Sequence, residues 1–592
     1  MTPPFISVGR WKQMVWPQLW AALVTGALLV SPAICQQTGN NPDWPRWCGK
    51  VYEAGYPNFD PGGQTVEPPP HPCGCPLLHV QFQPRYSLYL SSEPYGEFVV
   101  NAGFSPYHGT IWPPTNSTTQ WANRFIFSIN SVETDAPLVQ ATVPINTTGN
   151  LFQFNLSRLG PPRLDPYPVV LYGAPESGQP SWTATADISY LPDKTNGSIT
   201  RIDNLKGGGL WVKNAASNNT FAPYLPYGFY ASHDNFLREN DTKLIDAYQN
   251  LGLTGMVPLA SWGEIPEMLS YMDSIDLKYM YNLRYGYKNL SYVEENVLQA
   301  RDKEGIFAYW TADEPDGWQD PFPLPVAAQN KIRTLDPYHP SVITLNCENY
   351  YFSEYSSGAD ILMSDVYPIG INSTFSKWGT ECNATHGDCG CDNCQGIVQD
   401  VSDRLDTLSK HERWLGLWPK TKFHNPQSFH GQDYWLRDPT VGEEHVMNVL
   451  AFNHGAKGII SWLWPTSKVL AEAHGELARV VTKSPVREFL VGGDGVDGPR
   501  GVEAKVPGME MVEVVDAAVW VDKRQKRALV GVVNGGYADI EGRVGVMVGN
   551  NVTTLDGILW GEVKEWRVEG GMLVVDRLPA LATSFVLVNL RG

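Results

Sequence analysis

Two hydrophobic periods alternate along this chain, and the places where they change divide it. Between about 78 and 220, apolar and polar residues alternate in segments such as Phe98–Phe104, Arg124–Asn130 and Thr183–Tyr190, separated by Pro, Gly and Asn clusters. Period two predicts half-buried antiparallel strands, and hence a β-sandwich. From Tyr224 onward, short and nearly continuous apolar runs are separated by helical patterns. The predicted strands are Tyr227–Ser232, Thr254–Ala260, Lys278–Arg284, Gly305–Thr311, Ser341–Asn346, Ile361–Tyr367, Lys422–Gln427 and Gly458–Trp464. Ser291-Tyr-Val-Glu294 and Thr440-Val-Gly-Glu443 have the spacing of capping boxes that open two of the intervening helices. Such runs suit parallel strands buried on both faces, and eight strand–helix units over roughly 250 residues match a closed barrel. No glycine fingerprint follows the first strand, which disfavours a doubly wound nucleotide-binding sheet. Gly207-Gly208-Gly209 has no helix after it and reads as a turn, not a phosphate loop. Past residue 500, period two returns in Met511–Val519, Arg527–Val533, Arg543–Val548, Leu573–Val575 and Ser584–Val588.

The expected fold is therefore α/β: a (β/α)8 TIM barrel at 222–490, flanked by an N-terminal β-sandwich at 78–221 and a small C-terminal β-sandwich at 500–592. The stretch 36–77, rich in Pro, Gly and Cys and including Pro68-Pro69-Pro70, has no apolar period and reads as an irregular arm stapled to the sandwich.

The first 35 residues change the picture of destination. Arg10 and Lys12 precede the apolar run Leu19–Val30, and Ala33-Ile34-Cys35 supplies a cleavage point before Gln36: a secretory signal peptide. The run is short for a membrane span, so no stable membrane insertion is expected once the signal is removed. Ten Asn-x-Ser/Thr sequons, at Asn116, Asn146, Asn155, Asn196, Asn218, Asn240, Asn289, Asn372, Asn383 and Asn551, fit a glycosylated, extracellular protein. Without Cys35 the cysteine count is eight, an even number that suits disulfides. Cys382, Cys389, Cys391 and Cys394 have ligand-like spacing, but in an exported chain disulfides are favoured over zinc, with connectivity open. The net charge of −18 argues against nucleic acid as a partner. Oligomeric state is not legible.

Candidate chemistry centres on Gly305–Asp320, GIFAYWTADEPDGWQD. A buried strand ends in adjacent carboxylates, Asp313 and Glu314, flanked by Trp310 and Trp318, where a barrel keeps its active site. The other predicted strand ends offer His233, Trp262, Arg284, Asn346, Glu348, Asp365, Tyr367, His424, Gln427, Trp462 and Trp464. Indole faces stack on pyranose C–H faces while carboxylates and amides bind hydroxyls, so the inventory points to a polysaccharide or glycan. Cleaving a glycosidic bond needs a protonated carboxyl and a second group at the oxocarbenium-like centre. Glu314 is the expected proton donor, its pKa raised by Asp313 and by the aromatic wall; the competing reading is that Asp-Glu-Pro caps the next helix. Asp365 or Glu348 is the second carboxylate. Trp462 and Trp464 should point the same way on an ideal strand, either to floor a sugar subsite or to pack against the helices. Arg284 binds a substrate acid or pairs with Asp313 or Glu314. His233 and His424 orient hydroxyls or are satisfied barrel-end histidines. No His/Asp/Glu cluster has metal spacing, so neither metal nor cofactor is expected, and no Gly-x-Ser-x-Gly elbow marks a serine triad.

Tyr309-Trp-Thr-Ala-Asp-Glu-Pro315 with Ser364-Asp-Val-Tyr-Pro368 resembles the barrel glycoside hydrolases related to clan A, of the kind found in secreted fungal proteins. Pro426-Gln-Ser-Phe429, Arg437-Asp-Pro-Thr440 and Asn453-His-Gly-Ala-Lys-Gly-Ile459 are similar to the last two units of the same relatives, so the likeness covers about 222–466. It implies cleavage of O-glycosidic bonds with Glu314 as acid/base. Where clan A enzymes place a glutamate nucleophile at strand seven, this chain has Gln427. Two alternatives follow: a substrate-assisted N-acetylhexosaminidase-type enzyme using Asp313-Glu314, or a catalytically silent carbohydrate-binding cell-wall protein.

Overall fold

The computed structural model describes residues 44–56, 62–112, 124–175, 180–205, 207–493, 495–506, 514–549 and 551–591. The expected signal peptide, the Asn116 sequon, the start of the arm and the beginning of the Met511–Val519 strand lie outside the described residues.

Two four-stranded antiparallel sheets form the N-terminal sandwich. One has the order 110–111, 77–84, 95–105, 147–155, and the other 182–188, 167–175, 124–131, 137–144. Alternation is strict on Arg124–Ser131, whose Phe125, Phe127 and Ile129 turn inward. They meet Val80, Phe82, Phe98 and Val100 of the facing sheet in one apolar core.

The barrel closes as expected, with eight parallel strands in sequential order. They are β1 Tyr227–Ala231, β2 Gly255–Pro258, β3 Lys278–Asn282, β4 Ile306–Asp313, β5 Ser341–Leu345, β6 Ile361–Asp365, β7 Thr421–Asn425 and β8 Ile459–Trp464. The helices are α1 Thr242–Asn250, α2 Pro266–Ser274, α3 Leu290–Ala300, α4 Pro323–Leu335, α5 Phe352–Ser356, α6 Asp400–Leu415, α7 Val441–Asn453 and α8 Lys468–Val481. Tyr230, Val257, Met280, Trp310, Met363 and Ile460 fill the interior. The same cluster takes in Ile202, Leu210, Val212 and Tyr224 from the three-stranded sheet 199–203, 209–213, 222–224. That sheet, expected within the sandwich, instead lays these residues on the N-terminal end of the barrel, while its Ile199 meets Leu88, Leu90 and Leu191. Its turn holds Gly208 at φ +88°, where a Cβ would lie 1.9 Å from Thr421 Oγ1. The triple glycine is thus a turn required by close packing.

Thr440 and Glu443 form the expected reciprocal capping box. Ser291-x-x-Glu294 does not: α3 is capped by Asn289, whose side chain accepts from the Ser291 N–H, because an asparagine two residues earlier reaches the first free donors. C-terminal strands, including Val552–Trp560, which the sequence pattern missed, pair into a five-stranded and a four-stranded sheet around a valine-rich core.

The eight described cysteines pair as Cys48–Cys347, Cys73–Cys75, Cys382–Cys389 and Cys391–Cys394. The arm is therefore tied to the end of β5, not to the sandwich; even cysteine counts carry no connectivity.

Candidate active site

Residues Ile306–Ala312 of β4 are closed from solvent, and the chain leaves the barrel at Asp313-Glu314. The pairing with β5 shifts register between Trp310 and Ala312. Glu314 then takes a left-handed backbone, φ +48°, while its N–H still donates to the Thr344 carbonyl at 3.0 Å. Holding a non-glycine residue there costs about 1–2 kcal/mol, and such residues gather at functional sites. The carboxyl is thereby aimed across the barrel mouth towards β6.

Glu314 is half-buried, and its carboxyl is hydrogen-bonded to that of Asp365. Burial first, then the Asp365 charge and its hydrogen bond, and only then Asp313, push Glu314 well above the usual carboxylate range. Asp313 is thus a lesser cause than expected from its adjacency. Burial lifts Asp365 to about 6, against the hydrogen bonding that favours its charge. Such a pair holds one proton and one negative charge near neutrality.

Asn346, at the end of β5, clamps the pair. Its Nδ2 donates to Glu314 Oε1 at 3.1 Å and to Asp365 Oδ2 at 3.4 Å. Arg284 donates to Asp313 Oδ2 at 2.7 Å, so of the expected roles the structure shows the ion pair with Asp313. Its guanidinium lies 4.8 Å from the Trp310 ring centre and 5.6 Å from that of Trp462. Burial raises the Asp313 carboxyl and Arg284 pulls it back.

Asp316 was not anticipated. Buried below the pair, it accepts from the N–H groups of Gly317 (2.9 Å), Asn346 (3.2 Å) and Cys347 (2.9 Å). Burial takes it to about 7 against those donors. It ties the β4 and β5 exits together, and the helix-capping reading of Asp-Glu-Pro fails because α4 begins only at Pro323. Tyr230 is a second omission: its hydroxyl accepts from Asn425 Nδ2 at 2.8 Å under the same mouth. Neither carries a sequence signal, since a buried loop aspartate and a strand tyrosine look like any others.

Several expected contacts are corrected. Trp310 is fully buried, bonded through Nε1 to Thr344 Oγ1 at 2.9 Å, and supports Arg284 from below; it has no face for a sugar. Gln427 is fully buried and its amide is spent on backbone, accepting from Ile369 N–H at 2.9 Å and donating to the Ile369 and Phe429 carbonyls. Trp462 and Trp464 diverge. Trp462 meets Tyr230 inside the barrel, whereas Trp464 packs on Phe229, Phe236 and Tyr248. The reason is a register shift: Phe229 pairs with Ser461 but Ala231 with Trp464, which breaks ideal alternation. Trp262 lies among the residues packed outside the barrel, with the Lys303 ammonium 3.9 Å over its ring. His233 pairs with its neighbour Asp234, and burial lowers the enclosed His424 to about 3. Glu348 accepts from Asn393 at 2.6 Å in the cysteine loop. Tyr367 is buried beside Asp365, edge-on to Phe429 and Trp435. Trp318 stands exposed at the rim.

A Ser428–His474–Glu444 cluster does exist, with Ser428 Oγ 2.7 Å and Glu444 Oε1 2.9 Å from His474 Nε2. All three are sealed from solvent, so the cluster braces β7 and β8. Among the described residues, one group has metal-like proximity, Cys48, Cys347 and Asp392, but both sulfurs are in a disulfide. A cavity of about 680 Å³ on the outer face of the 124–188 sheet is lined by no carboxyl, imidazole or amine. At the barrel mouth, carboxyls and a guanidinium converge with aromatic rings.

No family model matches the chain, and no curated protein is similar to it. Solved structures similar to it include a β-glucuronidase from Ruminococcus gnavus in complex with D-glucuronic acid, at 11% identity and TM-score 0.31, covering 65% of this chain and 62% of that one. The chain thus spans less than two thirds of that enzyme. A GH51 arabinofuranosidase from Xanthomonas axonopodis pv. citri has 10% identity and TM-score 0.37, covering 59% and 89%. A GH30 endoxylanase from Clostridium papyrosolvens C71 has 10% identity and TM-score 0.37, covering 62% and 97%. These neighbours are glycosidases; likeness at this level assigns this chain no activity or substrate.

Proposed function

We propose that this protein is a secreted, glycosylated glycoside hydrolase that cleaves O-glycosidic bonds of an extracellular polysaccharide or glycan. The observation that carries the reading is the Glu314–Asp365 pair, hydrogen-bonded and clamped by Asn346 at the C-terminal mouth of the barrel. Glu314, kept protonated by burial and by the charge of Asp365, gives its proton to the leaving oxygen. The negative charge remaining on Asp365 lies beside that acid, nearer than the roughly 5–10 Å that separates an acid from an opposite-face nucleophile or base, so its part is to stabilise the developing positive charge of the sugar electrostatically. Glu314, then ionised, takes a proton from the incoming water. Asp313 is held by Arg284, so it shapes the field of the site without donating. Trp318 at the rim offers an indole face for a sugar ring. Secretion rests on the N-terminal pattern; glycosylation is supported by the exposure of all nine described sequon asparagines.

Gln427 favours a second reading. Strand seven presents no carboxylate, and the amide that replaces it is consumed by backbone, as in a cleft that binds glycans without cutting them. The substrate-assisted variant is less well supported, because Asp313 is occupied by Arg284. Reducing-sugar release from plant, fungal and bacterial glycans, wild type against Glu314→Gln, separates the readings. Hydrolysis that collapses in the variant establishes Glu314 as the acid. Binding without hydrolysis in the wild type establishes the silent form. Equal activity in both overturns the assignment of Glu314.

A further inference from the structure

The N-terminal arm reaches the carboxyl pair through one residue. Trp47 Nε1 donates to Asn346 Oδ1 at 2.6 Å, and Asn346 Nδ2 in turn donates to Glu314 and Asp365. The backbone of Asn346 is fixed independently: its N–H donates to Asp316, and its carbonyl accepts from Arg404 at 2.8 Å. What remains free to choose is the orientation of the side-chain amide. An indole N–H can only donate, so the amide atom facing Trp47 must be the oxygen, which leaves the NH₂ towards the carboxyls. Without the indole, the amide can turn over and present its oxygen to them.

The two orientations favour opposite protonation states. An NH₂ group aimed at Glu314 and Asp365 stabilises the ionised form, whereas a carbonyl oxygen stabilises the protonated one. We propose that Trp47 is a positioning residue of the barrel's reacting pair, setting through Asn346 how Glu314 and Asp365 share their proton. The inference rests on the reading of that pair as the reacting carboxyls. The surroundings are built to hold the indole. Cys48, next to Trp47, is bonded to Cys347, next to Asn346. Trp318 meets the indole edge-on, with ring centres 5.0 Å apart. Gly317 leaves room for it: a Cβ there would lie 2.5 Å from the ring. The other groups facing the pair are Asp313, itself paired with Arg284, buried Asp316, and the hydroxyls of Tyr230 and Tyr367.

Two substitutions test this in the full-length protein. Trp47→Phe keeps an aromatic ring and removes the N–H; Gly317→Ala pushes the intact indole aside. The readout is the pH-difference infrared band of protonated carboxyl, assigned to the pair by its loss in Glu314→Gln and Asp365→Asn. Both variants should move its midpoint upward by about 0.5–1 pH unit, the effect of losing one hydrogen bond to a charged group. On any glycan the wild type cleaves, kcat should fall about tenfold with KM unchanged and the acidic limb moved up in parallel. The infrared shift is independent of turnover, so an inactive wild type with shifted variants would sink the hydrolase reading and leave the positioning role standing. Unmoved midpoints in folded variants overturn the inference, even if kcat falls. Should Trp47→Phe fail to fold, Gly317→Ala, whose change lies outside the arm, decides alone.

Discussion

Replacing Asp365 by asparagine should make this protein more stable, and only above a certain pH. The carboxyl is buried beside that of Glu314. Burial, with a contribution from the Asp313 charge, raises it from an ordinary 3.8 to about 6. A carboxyl raised in the folded state contributes stability below its unfolded pKa and loses it as pH rises through the folded value. Between pH 3.8 and about 6 the wild type is therefore penalised progressively, by up to about 3 kcal/mol at about 1.4 kcal/mol per tenfold change in proton affinity. Asparagine keeps the shape and the contact to Asn346, carries no charge, and relieves Glu314 as well. The expected gain is near zero at pH 4 and about 1–3 kcal/mol at pH 7.5. In thermal unfolding followed by dye fluorescence this appears as about 2–4 °C per kcal/mol for the barrel. A gain of equal size at both pH values, or a loss at pH 7.5, would refute the electrostatic account of the pair. The same substitution should move the alkaline limb of any hydrolytic activity to lower pH, because Glu314 then releases its proton more readily.

Arg284→Met keeps the stem over Trp310 but leaves Asp313 without its 2.7 Å partner. The carboxyl is partly solvated, so a loss of about 1–3 kcal/mol in urea unfolding is expected at pH 7, smaller at pH 4 where Asp313 takes up a proton. Burial alone would depress His454, but hydrogen bonds to Asp406 and Asp516 outweigh it and raise the imidazole to about 10. That contribution is complete below pH 6.5 and disappears through about pH 10, so His454→Gln should lower the urea midpoint at pH 7 and cease to matter at pH 10.5. Enzymatic removal of N-linked glycans from protein secreted by a eukaryotic host should lower its mass in several steps; an unchanged mass would refute glycosylation.

The barrel was legible in the sequence because its strands are buried on both faces, which writes them as continuous apolar runs, and because β4 ends visibly in Asp313-Glu314. The sandwiches were legible for the complementary reason: one buried face per strand leaves period two. Local pattern also sufficed for the Thr440 capping box and for the turn at Gly208. What the pattern could not carry is anything that depends on which distant segments meet. Trp464 turns away from Trp462 because of a register shift with β1. Gln427 serves backbone, and Cys48 joins Cys347 across 299 residues of chain. The role of Asp365 beside Glu314, and the hold of Trp47 on Asn346 between them, belong to the same class. Hydrophobic period is a property of neighbouring residues and survives in one dimension. The proton affinity of a carboxyl depends on charges and donors a few ångströms away in space, and only the closed barrel with its arm in place brings those together.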